Sequence, residues 1–194
     1  MLKYMLLLVC VMLWVYLLTV LKRAKNGAFY FLAGSAGVFI FLLFMSKPYG
    51  IWLFATAMTW SVGLVGHATG FFTTFYFTHV IQVVVDHHIS LFVIDYECSG
   101  IIESTAFIGL IAFYPIYSIK RRFVLGILGI LWFFIANIVR LSMVAIMIYL
   151  FGDNVFYLAH AILGRLLFYG LAILLYYLVF TKGQLVNRIF KKIG

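Results

Sequence analysis

Seven apolar runs, each closed by charged or turn-forming residues, most constrain this chain: they cover residues 4–21, 28–45, 51–66, 71–85, 100–119, 123–150 and 155–180. A helix crosses the hydrocarbon core of a bilayer with about 20 apolar residues. The run 71–85 is short, about 22 Å long as a helix, and His79 and Gln82 interrupt it. With 66% hydrophobic and 10% charged residues, the chain has too little polar surface for a water-soluble domain. The expected fold is therefore all-α: one integral membrane domain over residues 1–194, a helical bundle of about seven spans. The first run lacks a small-residue cleavage site and reads as a retained helix.

The formal net charge of +9 comes mainly from clusters at the ends of these runs, so it reports orientation and implies no nucleic-acid partner. Lys22 to Lys25, Lys120 to Arg122, and the tail with Lys182, Arg188, Lys191 and Lys192 are expected in the cytoplasm. An even number of crossings must separate consecutive clusters. Seven spans with an outer N-terminus satisfy that parity, and merging the third and fourth runs breaks it. Between the fourth and fifth runs, Asp86, His87, His88 and Asp95 surround a β-prone stretch, 89–94, expected as a short extracytoplasmic loop or hairpin.

This topology brings three separated residues to one outer depth. Cys98 opens the fifth run; a helix N-terminus favours a thiolate, and a buried cysteine at a helix start is the structural alternative. Beside it, Ser99 is a possible cap, and Gly100 would let a substrate backbone approach closely. Arg140 interrupts the sixth run, where an arginine usually faces a partner or a watery cavity; snorkelling to headgroups is the alternative. Asn137 shares its face, and the pair could act as an oxyanion hole. His160, in the last run, has the chemistry of a general acid/base, although a lone histidine is usually structural.

Other polar residues carry weaker signals. Cys10 reads as a packing residue, and the two cysteines form no C-x-x-C pair. Adjacent His87 and His88 would point to opposite sides of a strand, so no metal site is expected. Asp95 and Glu97 are loop carboxylates, Asp153 and Asn154 a turn and cap, and Arg165 a snorkelling residue or a second site cation. His67, His79 and His160 sustain an alternative from another class, a haem-binding or transporter subunit without enzymatic activity.

Cys98-Ser99-Gly100 at a helix start, Asn137-Ile138-Val139-Arg140 in a later span, and His160 with Gly164 in the last resemble the exosortase/archaeosortase family of polytopic membrane cysteine transpeptidases. The likeness covers residues 81–180, the expected catalytic core. It implies a plasma-membrane enzyme whose site faces the extracytoplasmic side. That enzyme would cleave secreted proteins near a C-terminal motif, transmembrane helix and basic tail, through a thioester resolved by a lipid or glycan acceptor. On this resemblance Cys98 is the nucleophile, Arg140 the stabilising cation and His160 the acid/base; Ser99, Gly100 and Asn137 support the site, and no cofactor is implied. Family members often have eight spans, so this is a short form, and His160, where the archaeal branch has arginine, matches the bacterial type.

Overall fold

The computed structural model describes residues 2–47, 49–85, 88–96 and 98–182; His87, Glu97, Arg188, Lys191 and Lys192 lie outside them. Of the described residues, 78% are helical. Its elements are α1 (Leu2–Arg23), α2 (Gly27–Ser46), α3 (Tyr49–Thr69), β1 (Thr73–Phe75), β2 (Val80–Val85), β3 (His88–Val93), α4 (Ile101–Phe113) and α5 (Ile119–Phe151). A last helix, Asp153–Thr181, follows. Among the described residues four helices are long and apolar enough to cross a membrane: α2, α3, α5 and the last. This is a membrane protein, and its apolar side chains face outward as well as inward.

The all-α expectation fails at residues 71–85. Instead of a fourth span, they form β1, a turn and β2, and β3 completes an antiparallel sheet in the order β1-β2-β3. Thr73, Thr74, Val80 and Val83 to Val85 are β-branched, and such residues with aromatics suit a pleated surface better than a helix. Of the loop or short hairpin expected around 89–94, that stretch supplies one strand, β3. Its partner is β2, from the run expected to span, with Ile81 opposite Phe92 and Val83 opposite Ser90.

Alternation along the strands buries one face of this sheet. Phe72, Ile81, Val83, Phe92 and Ile94 join Ala55, Met58 and Val62 of α3 and Leu141, Val144, Ala145 and Ile148 of α5 in one apolar core. A second core combines Phe107 and Ile111 of α4, Phe133 and Ala136 of α5, and Phe168, Leu175 and Val179 of the last helix. At about 50 Å by its helical rise, the 33-residue α5 is long enough to serve both. Its first half packs among helices, and its second half packs against the sheet.

Helices α2 and α4 lie antiparallel. Gly34 faces Phe113, and Gly109 faces Ser35 and Phe39, so small residues let the backbones approach closely. At Gly109 an added Cβ would stand 2.7 Å from the Ser35 carbonyl oxygen.

The basic clusters meet at one end of the bundle. There the Arg122 guanidinium donates to the carbonyls of Ala112 and Tyr117 and shares a cavity with Gly27 and Tyr30 at the start of α2. The hydroxyls of Tyr114 and Tyr117 donate to the carbonyls of Phe180 and Val179, close to Lys182. Tyr117 is held above its ordinary pKa by burial, against the opposing pull of Arg121, whose guanidinium lies 4.5 Å from its ring. Cys98 is at the other end of α4.

Candidate active site

The chain reaches Cys98 through a tight turn after β3. The Cys98 N–H donates both to the Asp95 carbonyl at 3.2 Å and to its side-chain Oδ1 at 3.1 Å, so Asp95 fixes the loop. Ser99 does not cap α4: its hydroxyl donates to the Tyr96 carbonyl, 3.0 Å away, and Gly100 occupies the cap position. Gly100 has φ +77°, the left-handed conformation for which a side chain costs about 1–2 kcal/mol. It therefore turns the chain from the cysteine into α4. The Lys47 ammonium over the Tyr96 ring, 4.9 Å from its centroid, holds this turn near the α2–α3 junction.

Asn137 and Arg140, on adjacent turns of α5, receive the cysteine. The Asn137 side-chain amide donates to the Cys98 carbonyl, and an Arg140 Nη nitrogen stands 4.0 Å from Cys98 Sγ. Cys98 and Arg140 are each 7% exposed and Asn137 is fully buried, so this cation is not a snorkelling one. Its carbon stem crosses Gly164 of the last helix, and its guanidinium lies 5.8 Å from the Phe168 ring centroid. Gly164 thus has a packing role: it leaves the room through which Arg140 passes.

His160 occupies a π-helical stretch, Leu158–Leu163. An inserted residue of this kind often marks a functional position. The ring stacks on Phe156 at 5.5 Å and lies 6.5 Å from Phe92; Ala159, its neighbour, belongs to the core that contains Cys98. Arg140, Arg165 and Asp95 all lie within electrostatic reach of the imidazole. Arg165 itself is exposed.

Several buried polar atoms around this point have no hydrogen-bond partner in the structure: Asn137 Oδ1, Arg140 Nε, His160 Nδ1 and Glu103 Oε2. Buried polar groups are usually satisfied, so these atoms leave hydrogen-bonding capacity open near Arg140. Glu103 was not singled out by the sequence reading, which treated its run as uniformly apolar. It lies in the first turn of α4 and within electrostatic reach of Arg140. Side chains tilt toward a helix N-terminus, so Glu103 leans toward the cysteine end of α4. An ionisable residue inside an apolar run was the available signal.

The remaining expectations divide. Cys10 is exposed on α1 and does not pack inside the fold. His79 Nε2 pairs with the Thr56 hydroxyl at 2.9 Å, and His67 sits eleven residues further along α3, exposed, so the three histidines do not converge. Asp153 pairs with the Ser90 hydroxyl and ties β3 to the start of the last helix. Among the described residues no group of three or more His, Cys, Asp or Glu side chains comes together to hold a metal ion.

Comparison with known proteins returns no match: no family model, no curated protein and no solved structure matches the chain.

Proposed function

We propose that this chain is a membrane cysteine protease or transpeptidase of the exosortase kind, with Cys98 as nucleophile. The observation that carries the proposal is a buried arginine 4.0 Å from the sulfur of a buried cysteine, with unsatisfied polar atoms beside them. Burying such a cation in a membrane protein costs several kcal/mol, which a purely structural cysteine would not require.

The topology that fits has five crossings: α1, α2, α4, α5 and the last helix. In it α3 projects outward with the sheet, although its composition would suit a span, because both pack on the half of α5 beyond Arg140. Two crossings, α2 and α4, then separate the clusters Lys22–Lys25 and Lys120–Arg122, and two more separate the latter from Lys182. Parity is kept because α3 and residues 71–85 leave the count together. The basic end faces the cytoplasm, and Cys98 sits near the outer face of the plasma membrane beneath the α3 and sheet layer.

In the proposed reaction the Cys98 thiolate attacks a peptide carbonyl of a secreted protein, next to its C-terminal transmembrane helix and basic tail. Arg140 N–H groups stabilise the oxyanion as it forms. The C–N bond breaks as His160 donates a proton to the departing amine, which leaves a Cys98 thioester. A lipid or glycan acceptor, or water, then gives its proton to His160 and attacks the thioester, which returns Cys98 as thiolate. Nothing in the arrangement favours the haem-binding or transporter reading over this one, since its three histidines lie apart.

The test compares membranes holding wild-type or Cys98→Ala protein by mass spectrometry of secreted proteins. The proposal expects at least one protein to lose its C-terminal helix only with the wild type, the acceptor appearing as added mass. Identical C-termini in both, with candidate targets expressed, would overturn it.

A further inference from the structure

The strand that leads into Cys98 has an open edge. In an antiparallel ladder, alternate residues turn both backbone groups toward the partner strand. The Ile94 N–H donates to the His79 carbonyl at 2.8 Å, and 79 and 94 continue the register of Ile81 with Phe92 and Val83 with Ser90. His88, Ser90, Phe92 and Ile94 therefore face β2, whereas Ile89, Leu91 and Val93 direct their N–H and C=O groups the other way. β3 ends the sheet, and among the described residues no backbone group outside the sheet bonds to these three. They are 58%, 61% and 57% exposed.

This edge also has a defined position. Beneath the sheet, α3 lies under β1, α5 under β2, and the start of the last helix under β3, through Ser90 with Asp153 and Phe92 with Phe156 and His160. The next place in the sheet thus adjoins the His160 end of the last helix. β3 also runs directly into the turn in which Asp95 holds Cys98.

We propose that this edge is the substrate-recognition surface: an extended peptide segment of about five residues pairs with Ile89, Leu91 and Val93 as a fourth strand and delivers its carbonyl to Cys98. The inference rests on the transpeptidase reading and names how its substrate is held. Cysteine attack requires a peptide bond outside a helix, and an extended segment carries unpaired N–H and C=O groups that a strand edge satisfies. Alternate residues of the added strand would face the exposed apolar side of the sheet, beside Leu91 and Val93, which favours apolar side chains at every second position.

The test measures binding of fluorescein-labelled synthetic hexapeptides, alternating apolar and polar residues, to the purified full chain by fluorescence anisotropy. The tightest binder is then N-methylated at one amide at a time. Strand addition predicts that methylation weakens binding about tenfold or more at every second amide and has little effect at those between. Leu91→Pro, which deletes an edge N–H outside the β2 ladder, should abolish binding, and Leu91→Ala should retain most of it. The absence of any binder, a methylation scan without alternation, or a change from dimer to monomer in Leu91→Pro without loss of peptide binding would overturn the inference. Because the readout is binding, it fails independently of catalysis: peptide binding without Cys98-dependent processing would overturn the transpeptidase reading and leave the edge site standing.

Discussion

Arg140→Gln removes the positive charge that stands against Cys98 Sγ while keeping a polar side chain. At 4.0 Å, two unit charges interact by about 4 kcal/mol at an effective dielectric constant of 20. The anion gains that interaction and the neutral thiol does not, and each 1.36 kcal/mol of it is about tenfold in the balance between them. The cation favours the anion, so its loss must reduce the thiolate present at a given pH. The assay is the rate of Cys98 alkylation by iodoacetamide from pH 5 to 10, read by mass spectrometry on the peptide that contains it, with added glutathione in the same tube as reference. At pH 7 the variant should react at least tenfold more slowly than wild type relative to glutathione, and the two should converge at high pH. Arg140→Lys should restore most of the alkylation profile, because the charge returns, but not full processing if the planar donors bind the oxyanion. Superimposable profiles for wild type and Arg140→Gln would refute the claim that this arginine acts on the sulfur.

Three further outcomes follow from the same geometry. Glu103→Gln, which deletes a negative charge within reach of Arg140, should increase Cys98 alkylation at pH 7, opposite in sign to Arg140→Gln; an unchanged rate would separate Glu103 from the site. His160→Gln should lower target processing by about a hundredfold, the scale of a general acid/base, yet leave alkylation of Cys98 at pH 9 within a factor of three, which an assay of both activities on one preparation can decide. Gly109→Ala places a methyl group against the Ser35 carbonyl and should destabilise the bundle by about 1–3 kcal/mol, seen as a lower Tm in detergent; an equal or higher Tm would contradict the close α2–α4 contact.

The gathering of Cys98, Asn137 and Arg140 was legible in the sequence because each is a polar residue in an apolar run, and basic clusters give each run a direction. The i, i+3 spacing of Asn137 and Arg140 then places both on one face of α5, and the structure brings both to Cys98. Their roles were less legible. The Asn137 amide is engaged by the Cys98 carbonyl, which makes it first a support for the turn, and Ser99 bonds backward rather than capping.

The sheet was hidden for physical reasons. α3 is apolar enough to cross a membrane and also packs against the sheet on one side, and composition alone does not distinguish a helix that faces only lipid from one that carries a sheet on one side. Residues 71–85 form an apolar run that is short for a span and is interrupted by His79 and Gln82. The β-branched Thr73, Thr74 and Val83 to Val85 favour strands instead, and in the topology proposed above the parity rule holds with this run and α3 both left out. Glu103 was hidden because a single carboxylate leaves residues 100–119 apolar enough to read as a span.

The most direct test of the central claim is intact-protein mass spectrometry of the wild-type chain purified with its processed target, before and after neutral hydroxylamine, which cleaves thioesters. The account predicts an added mass on the peptide bearing Cys98 that hydroxylamine removes and that Cys98→Ala never carries. A processed target accompanied by a Cys98 that is never acylated, or processing that persists in Cys98→Ala, would contradict it.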